Sequence, residues 1–187
     1  ILSTILDLVN RRLPSFNSKW SKIWDIQVLS PTRKGLLGVD NLNNEIQAIL
    51  NPSSKDKKEK QVRDIVLREG DKVMQIKNNY SLEWHRIGGD GENKGVGVFN
   101  GDMGYIETID EERKVLSVVF DDERRVVYEF MFLDELELAY AITIHKSQGS
   151  EFKVVVMPTF MGSAFLMNRN ILYTGITRAK ELVVVVG

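Results

Sequence analysis

The sequence predicts an α/β protein in which a small SH3-like β-barrel is inserted into a mostly parallel sheet domain. Three observations predict it. Ile26–Leu29 near the start, and Val154–Met157 and Leu182–Val186 near the end, are short apolar runs rich in β-branched residues. Such runs suit strands covered on both faces, as in a parallel sheet. Between them the chain changes character. Tyr105–Ile109, Val115–Phe120 and Val126–Phe132 are evenly spaced strand candidates separated by charged turns, the pattern of a meander or small barrel. About 55 residues suffice for an SH3-like barrel and not for a larger sheet. Finally, helical spacing appears only outside this region, as expected if the chain returns to α/β logic after the barrel.

The elements follow in order. Ile1, Ile5, Leu8, Val9 and Leu13 mark an amphipathic helix that Pro14 should end. Residues 19–24 form a linker with two tryptophans, read as packing residues. After the Ile26 strand, Pro31 closes the run and Thr32-Arg33-Lys34-Gly35 forms a loop. Arg and Lys at a strand end suit an anion, and also suit plain solvated surface. Asp40 can cap a helix to about Leu50, with Leu42, Ile46 and Ile49 on one face. Ser53–Gln61 is charged and lacks apolar residues, so it reads as a mobile surface loop without function. Ile65–Leu67 and Lys72–Ile76 flank the Glu69-Gly70-Asp71 turn as short strands. Residues 81–97 are glycine-rich and read as a long link. Leu136–Ile142 can lie in a core, and a helix is expected around 168–177. The domain reading is 1–80 with 137–187 for the sheet domain and 81–136 for the barrel.

Composition narrows the functional classes. The chain has 187 residues, 43% hydrophobic and 27% charged, with net charge −1. A basic whole-molecule field is absent, so any nucleic-acid contact must be a local groove. There are no cysteines and two histidines, His85 and His145, which removes thiol chemistry and Cys-ligated metal sites. No metal site is expected. No run is long enough to span a membrane, so no membrane partner is expected, and the cytoplasm is the default location. The chain starts at Ile1 in a helical pattern, which reads as a piece of a longer protein. The Asp121-Asp122-Glu123 cluster is a solvated hairpin turn rather than a metal site.

The polar stretch Thr143-Ile144-His145-Lys146-Ser147-Gln148-Gly149-Ser150-Glu151-Phe152 lies between two apolar segments. It therefore sits at a sheet edge, where loops on a rigid scaffold carry function. Gly149 permits a positive φ or close backbone approach. Thr143, His145, Lys146 and Ser147 can donate to phosphate oxygens. A polar helix start is the plain alternative. A second stretch, Asn170-Ile171-Leu172-Tyr173-Thr174-Gly175-Ile176-Thr177-Arg178-Ala179-Lys180-Glu181, precedes the last strand.

This pair resembles motifs V and VI of superfamily 1 helicases, and the wording is most similar to the RecD-like DNA helicases of subfamily 1B. Residues 25–35 with 38–43 resemble that family's motif IV region. Gly70–Gln75, Asn78-Asn79-Tyr80 and Val98–Asp102 supply a further ordered match. The resemblance implies a P-loop NTPase fold: a second RecA-like motor domain (2A) interrupted by an SH3-like 2B domain. It implies ATP with Mg²⁺ and movement 5′ to 3′ on single-stranded DNA. It also implies an N-terminal RecA-like domain of the same parent chain, and work in recombination or repair complexes. The sequence has no G-x-x-x-x-G-K-[ST]. The phosphate loop is therefore expected in that N-terminal domain, and this chain alone is expected to be inactive.

By resemblance, Arg178 is the motif VI arginine that reaches the γ-phosphate, and Arg33 a second phosphate contact. Gln148, Gly149 and Glu151 match positions near the nucleotide, with Glu151 placed to accept from a ribose hydroxyl. Thr143, His145, Lys146 and Ser147 match the DNA side of motif V, and Asn79 and Asn100 sit where the strand enters the insert. His145 is equally a structural histidine, and Asn100-Gly101 is itself a turn signal. Tyr80, Trp84 and Phe99 can stack on bases or fill a barrel core. The sequence departs from the family at 81–97, which is longer than the usual link. The competing reading is a non-catalytic SH3-like module that binds protein or nucleic acid, since the fold alone decides nothing. No ordered carboxylate constellation supports a nuclease.

Overall fold

A computed structural model describes residues 1–88, 93–159 and 169–187. The chain forms two compact units. The first joins Ile1–Pro52 to Tyr140–Gly187, and the second is Ser53–Ala139. In chain order, α1 (Leu2–Asp7) passes through a π turn at Leu8–Arg12 into α2 (Leu13–Phe16). Strand β1 (Ile26–Ser30) and helix α3 (Val39–Leu50) follow. The second unit runs through β2 (Glu59–Val62), β3 (Ile65–Arg68), β4 (Lys72–Gln75) and β5 (Asn79–Arg86). It continues with β6 (Lys94–Val98), β7 (Met103–Asp110), β8 (Val115–Phe120) and β9 (Arg124–Glu129). A 3₁₀ turn at Phe130–Glu135 leads to β10 (Leu136–Leu138). Back in the first unit come β11 (Ala141–Thr143), a 3₁₀ turn at His145–Ser147 and β12 (Phe152–Pro158). Helix α4 (Arg169–Ile176) and strand β13 (Ala179–Val186) close the chain.

The first unit is built on a parallel sheet of order β11-β1-β12-β13. Its middle is dry: Val154, Val155, Val156 and Met157 are fully buried, as is Leu29. This matches the apolar runs and their lack of alternation. The N-terminal helix buries Ile5, Leu8, Val9 and Leu13 but does not stop at Pro14. The backbone widens before the proline, with the Leu13 N–H donating to the Leu8 carbonyl. That wider turn makes room for a ring that would otherwise press on the carbonyl four residues back.

Helix α3 is capped by Gly38, not Asp40. Asp40 sits in the first turn, where the helix dipole favours a carboxylate, and it bridges Arg33 (3.0 Å) and Lys34 (2.9 Å). The buried face carries Val39, Leu42 and Ile46, and also Asn43. Strand β11 lies at the sheet edge. There the Asn43 amide donates to the Ala141 carbonyl (2.9 Å) and accepts from the Ala141 N–H (2.8 Å). One side chain thus does for Ala141 what a neighbouring strand would do.

The second unit holds a β2–β3 hairpin and a seven-stranded antiparallel sheet of order β10-β4-β7-β8-β9-β5-β6. Its core includes Leu67, Met74, Ile106, Leu116, Val118, Phe120 and Tyr128. Three expectations are corrected here. Residues 53–80 belong to this unit rather than to the parallel sheet domain, because β4 pairs with β7 and β10. The charged stretch 53–61 is not all loop, since Glu59–Val62 pairs with Ile65–Arg68. The third strand ends at Glu129, and Phe130–Phe132 turn away as 3₁₀ helix. Much of the glycine-rich link is ordered as the β5–β6 pair; Gly89–Glu92 lies outside the described residues, as do Phe160–Asn168.

Candidate nucleotide and nucleic-acid site

The motif V stretch is a short crossover between two parallel strands. It leaves the carboxyl end of β11, where Thr143 is in register with Ser30. It enters β12 at Phe152, whose N–H donates to the Arg178 carbonyl (2.8 Å) just before β13. So eight residues, 144–151, carry the chain from the carboxyl edge of the sheet to the amino edge. The expected ligand residues divide accordingly.

At the carboxyl edge, the Ile144 N–H donates to the Ser30 carbonyl (3.1 Å), which fixes the start of the crossover beside the 31–38 loop. The Thr143 hydroxyl oxygen accepts from the Lys146 N–H (3.3 Å) and caps the 3₁₀ turn. His145 is exposed and Lys146 partly so. Ser147 departs from expectation. It is fully buried, and its hydroxyl donates to the Ile144 carbonyl (2.6 Å). It shapes the turn and presents nothing to a ligand.

At the amino edge, Gly149 takes φ +84° with open space where a Cβ would stand. Gln148 and Glu151 are exposed. Glu151 is met by Lys180 (3.0 Å), a residue not singled out from sequence. Arg178 is held by two long contacts, to the Ser150 carbonyl (3.4 Å) and the Thr177 hydroxyl (3.3 Å). Among the described residues it has no carboxylate partner, and its Nε is buried without a hydrogen-bond partner. A buried donor left unpaired is costly, and it sets Arg178 apart from the other described side chains. Helix α4 comes close to the sheet toward the carboxyl end of β12: a Cβ on Gly175 would lie 2.5 Å from the Met157 sulfur.

Arg33 is not brought to Arg178. It follows β1 at the carboxyl edge, whereas Arg178 precedes β13 at the amino edge. A five-residue strand alone spans about 16 Å. The two arginines thus leave the sheet at opposite edges.

The remaining candidates lie in the second unit. Asn79 is committed internally: its amide donates to the Glu135 carboxylate (3.0 and 3.2 Å), and its carbonyl accepts from Ser81 and Leu82. These bonds tie both ends of the Asn79 amide to its own unit. The Asn100 N–H donates to the Asn78 side chain (2.9 Å), and its own side chain is exposed at the turn. Tyr80 and Phe99 are exposed and meet edge to face at 5.8 Å. Trp84 is half-buried, with Arg124 5.8 Å from its ring centre.

Comparison with known proteins fits this geometry. Residues 42–120 match the ATP-dependent RecD-like DNA helicase SH3 domain. Residues 138–186 match the UvrD-like helicase C-terminal domain. The chain is 35% identical over 156 residues to the ATP-dependent RecD2 DNA helicase of Deinococcus radiodurans, covering 83% of this chain and 19% of that protein. It is 31% identical over 162 residues to the RecBCD enzyme subunit RecD of Haemophilus influenzae, covering 83% and 20%. The chain thus spans about a fifth of these relatives. In fold it is similar to a Bacteroides Pif1 helicase solved with ADP-AlF3 and single-stranded DNA. That match has a TM-score of 0.55 at 20% identity and covers 99% of this chain and 45% of that one. A Candida albicans Pif1 helicase gives TM-score 0.50 at 15% identity over 100% and 53%. The two domain matches and the identity to RecD proteins place the chain in the RecD-like DNA helicase family.

Proposed function

We propose that this chain is the C-terminal part of an ATP-dependent DNA helicase that moves 5′ to 3′ on single-stranded DNA. Its first unit is the 2A motor domain, and the second is the inserted 2B domain. One observation carries the reading: a single crossover links the two sheet edges, with DNA-type donors at its start and Arg178 against its end. A stretch built this way can pass a change at the nucleotide to the DNA strand.

On this reading Arg178 meets the γ-phosphate. A guanidinium whose terminal nitrogens make only long contacts, to Ser150 and Thr177, is available to an external anion, and charge stabilisation of a transferring phosphoryl group is worth on the order of 10³–10⁵ in rate. Glu151 exchanges Lys180 for a ribose hydroxyl. A surface ion pair of this kind is worth about 0–1 kcal/mol, so it opens readily. Gln148 and Gly149 border the nucleotide. Thr143, His145 and Lys146 face the DNA backbone, where phosphate contacts carry no sequence information and suit stepping over any sequence. Arg33, with Lys34, belongs on that same side, and contact with a phosphate would compete with Asp40 for both. The phosphate loop and the Mg²⁺ ligands are assigned to an N-terminal RecA-like domain of the parent chain. Single-stranded DNA is the substrate partner, as in the Pif1 complex, and a recombination or repair complex is the setting.

The test is DNA-stimulated ATP hydrolysis by the parent protein, with ATP binding measured in parallel. Arg178→Ala should lose turnover by at least a hundredfold with binding largely kept, and this 187-residue chain alone should show no hydrolysis. Unchanged turnover in a folded Arg178→Ala protein would remove the motif VI assignment and bring forward the binding-module reading.

A further inference from the structure

The outer face of the second unit carries a cleft that the nucleotide and DNA chemistry does not use. Strands β5 and β9 pair antiparallel, with Trp84 opposite Val126. This register turns Glu83 and His85 outward alongside Val127 and Glu129. The cleft between them is lined by Leu82, Val127 and Phe132, with Asn79 and Ser81 at one end and Glu83, His85 and Glu129 around it. Val127 is 50% exposed, unusual for a valine in mid-strand. Neither Glu83 nor Glu129 has an ion-pair partner among the described residues. The nearby Arg125 is already bound to Glu107 (2.6 and 2.7 Å). The lining contains two unpaired carboxylates and no lysine or arginine.

A phosphate backbone is repelled by that charge, so the cleft is a poor DNA track. An apolar floor flanked by carboxylates instead matches a peptide with aliphatic or proline side chains between basic ones. We propose that this cleft docks a basic, extended segment of a partner protein. Glu83 and Glu129 recognise its lysine or arginine side chains, and Leu82, Val127 and Phe132 take an apolar residue between them. The proposal does not depend on the assignments at the nucleotide site.

The test is selection of a random dodecamer phage library on this 187-residue chain, with counter-selection on the Glu83→Lys/Glu129→Lys variant. These positions are exposed, so the variant should fold, and its circular dichroism melt checks that. The expected result is enrichment of sequences with two or more basic residues flanking proline or an aliphatic. A synthetic peptide of that sequence should bind the wild type and lose at least tenfold in affinity for the double variant and for Val127→Asp. Its binding should also weaken as salt rises. The proposal is overturned if no sequence is enriched, if the enriched peptides are not basic, or if the folded variants bind them as well as wild type. It is equally overturned if an oligo(dT) dodecamer binds the chain and this binding is the one lost in Val127→Asp.

Discussion

Arg178 illustrates how far a residue can be read from sequence. Its motif is legible in the string Gly175-Ile176-Thr177-Arg178, and so is Glu151 beside Gly149. What the string hides is who holds the side chain. Of the two contacts to Arg178, the one from outside its own motif is the Ser150 carbonyl, and the partner of Glu151 is Lys180. A backbone carbonyl leaves no mark in an amino-acid sequence. Ser147 shows the opposite failure. A serine in a polar run reads as a free donor, yet this one is buried and bonded to Ile144. Gly149 yields a prediction at this scale. Its φ of +84° is a left-handed conformation that a Cβ disfavours. Gly149→Ala should therefore cost about 1–2 kcal/mol, read as a fall in the melting midpoint, although no neighbour crowds the new methyl group.

Among the elements, those with a strong apolar period were legible and those held by polar groups were not. The runs at Ile26 and Val154 appear where expected because full burial demands continuous apolar residues. Strand β5, Asn79–Arg86, was missed: seven of its eight residues are exposed or half-buried, so no apolar alternation announces it. Pro14 misled because the π turn before it is set by backbone geometry, not by composition. The 3₁₀ turn at Phe130–Glu135 offers a prediction in pH. Asp134 in that turn is held below the ordinary carboxylate range. The main cause is the hydrogen bond from Lys77 (2.8 Å), opposed by slight burial and helped by the charges of Lys77 and Arg63. A carboxylate lowered in the folded state stabilises above its unfolded value of 3.8 and loses that effect as the pH falls through the folded value. Lys77→Ala should thus lower the neutral-pH melting midpoint slightly, by less than about 1 kcal/mol in stability. The gap to wild type should close in acid, as seen in melts at a series of pH values.

For the whole molecule, the two-part plan was legible because the barrel-like stretch and the parallel strands have different periods. The boundary near residue 53 was not. Strands β3 and β4 are short and apolar enough to suit either unit, and only their pairing, β3 with β2 and β4 with β7 and β10, decides membership. Long-range pairing is what a single sequence conceals best. The same is true at the sheet edge, where Asn43 satisfies Ala141 from a helix 98 residues earlier in the chain. That contact has a consequence for solubility. An uncovered edge strand is a template on which other chains can add, and the amide of Asn43 acts as a stopper on it. Asn43→Leu would leave helix α3 apolar on its buried face but the buried Ala141 N–H and carbonyl both unpaired, a cost relieved when the helix loosens and opens the edge. The expected result is a protein that scatters light at concentrations where the wild type stays clear: one side chain, chosen inside the fold, sets whether neighbouring molecules ignore each other.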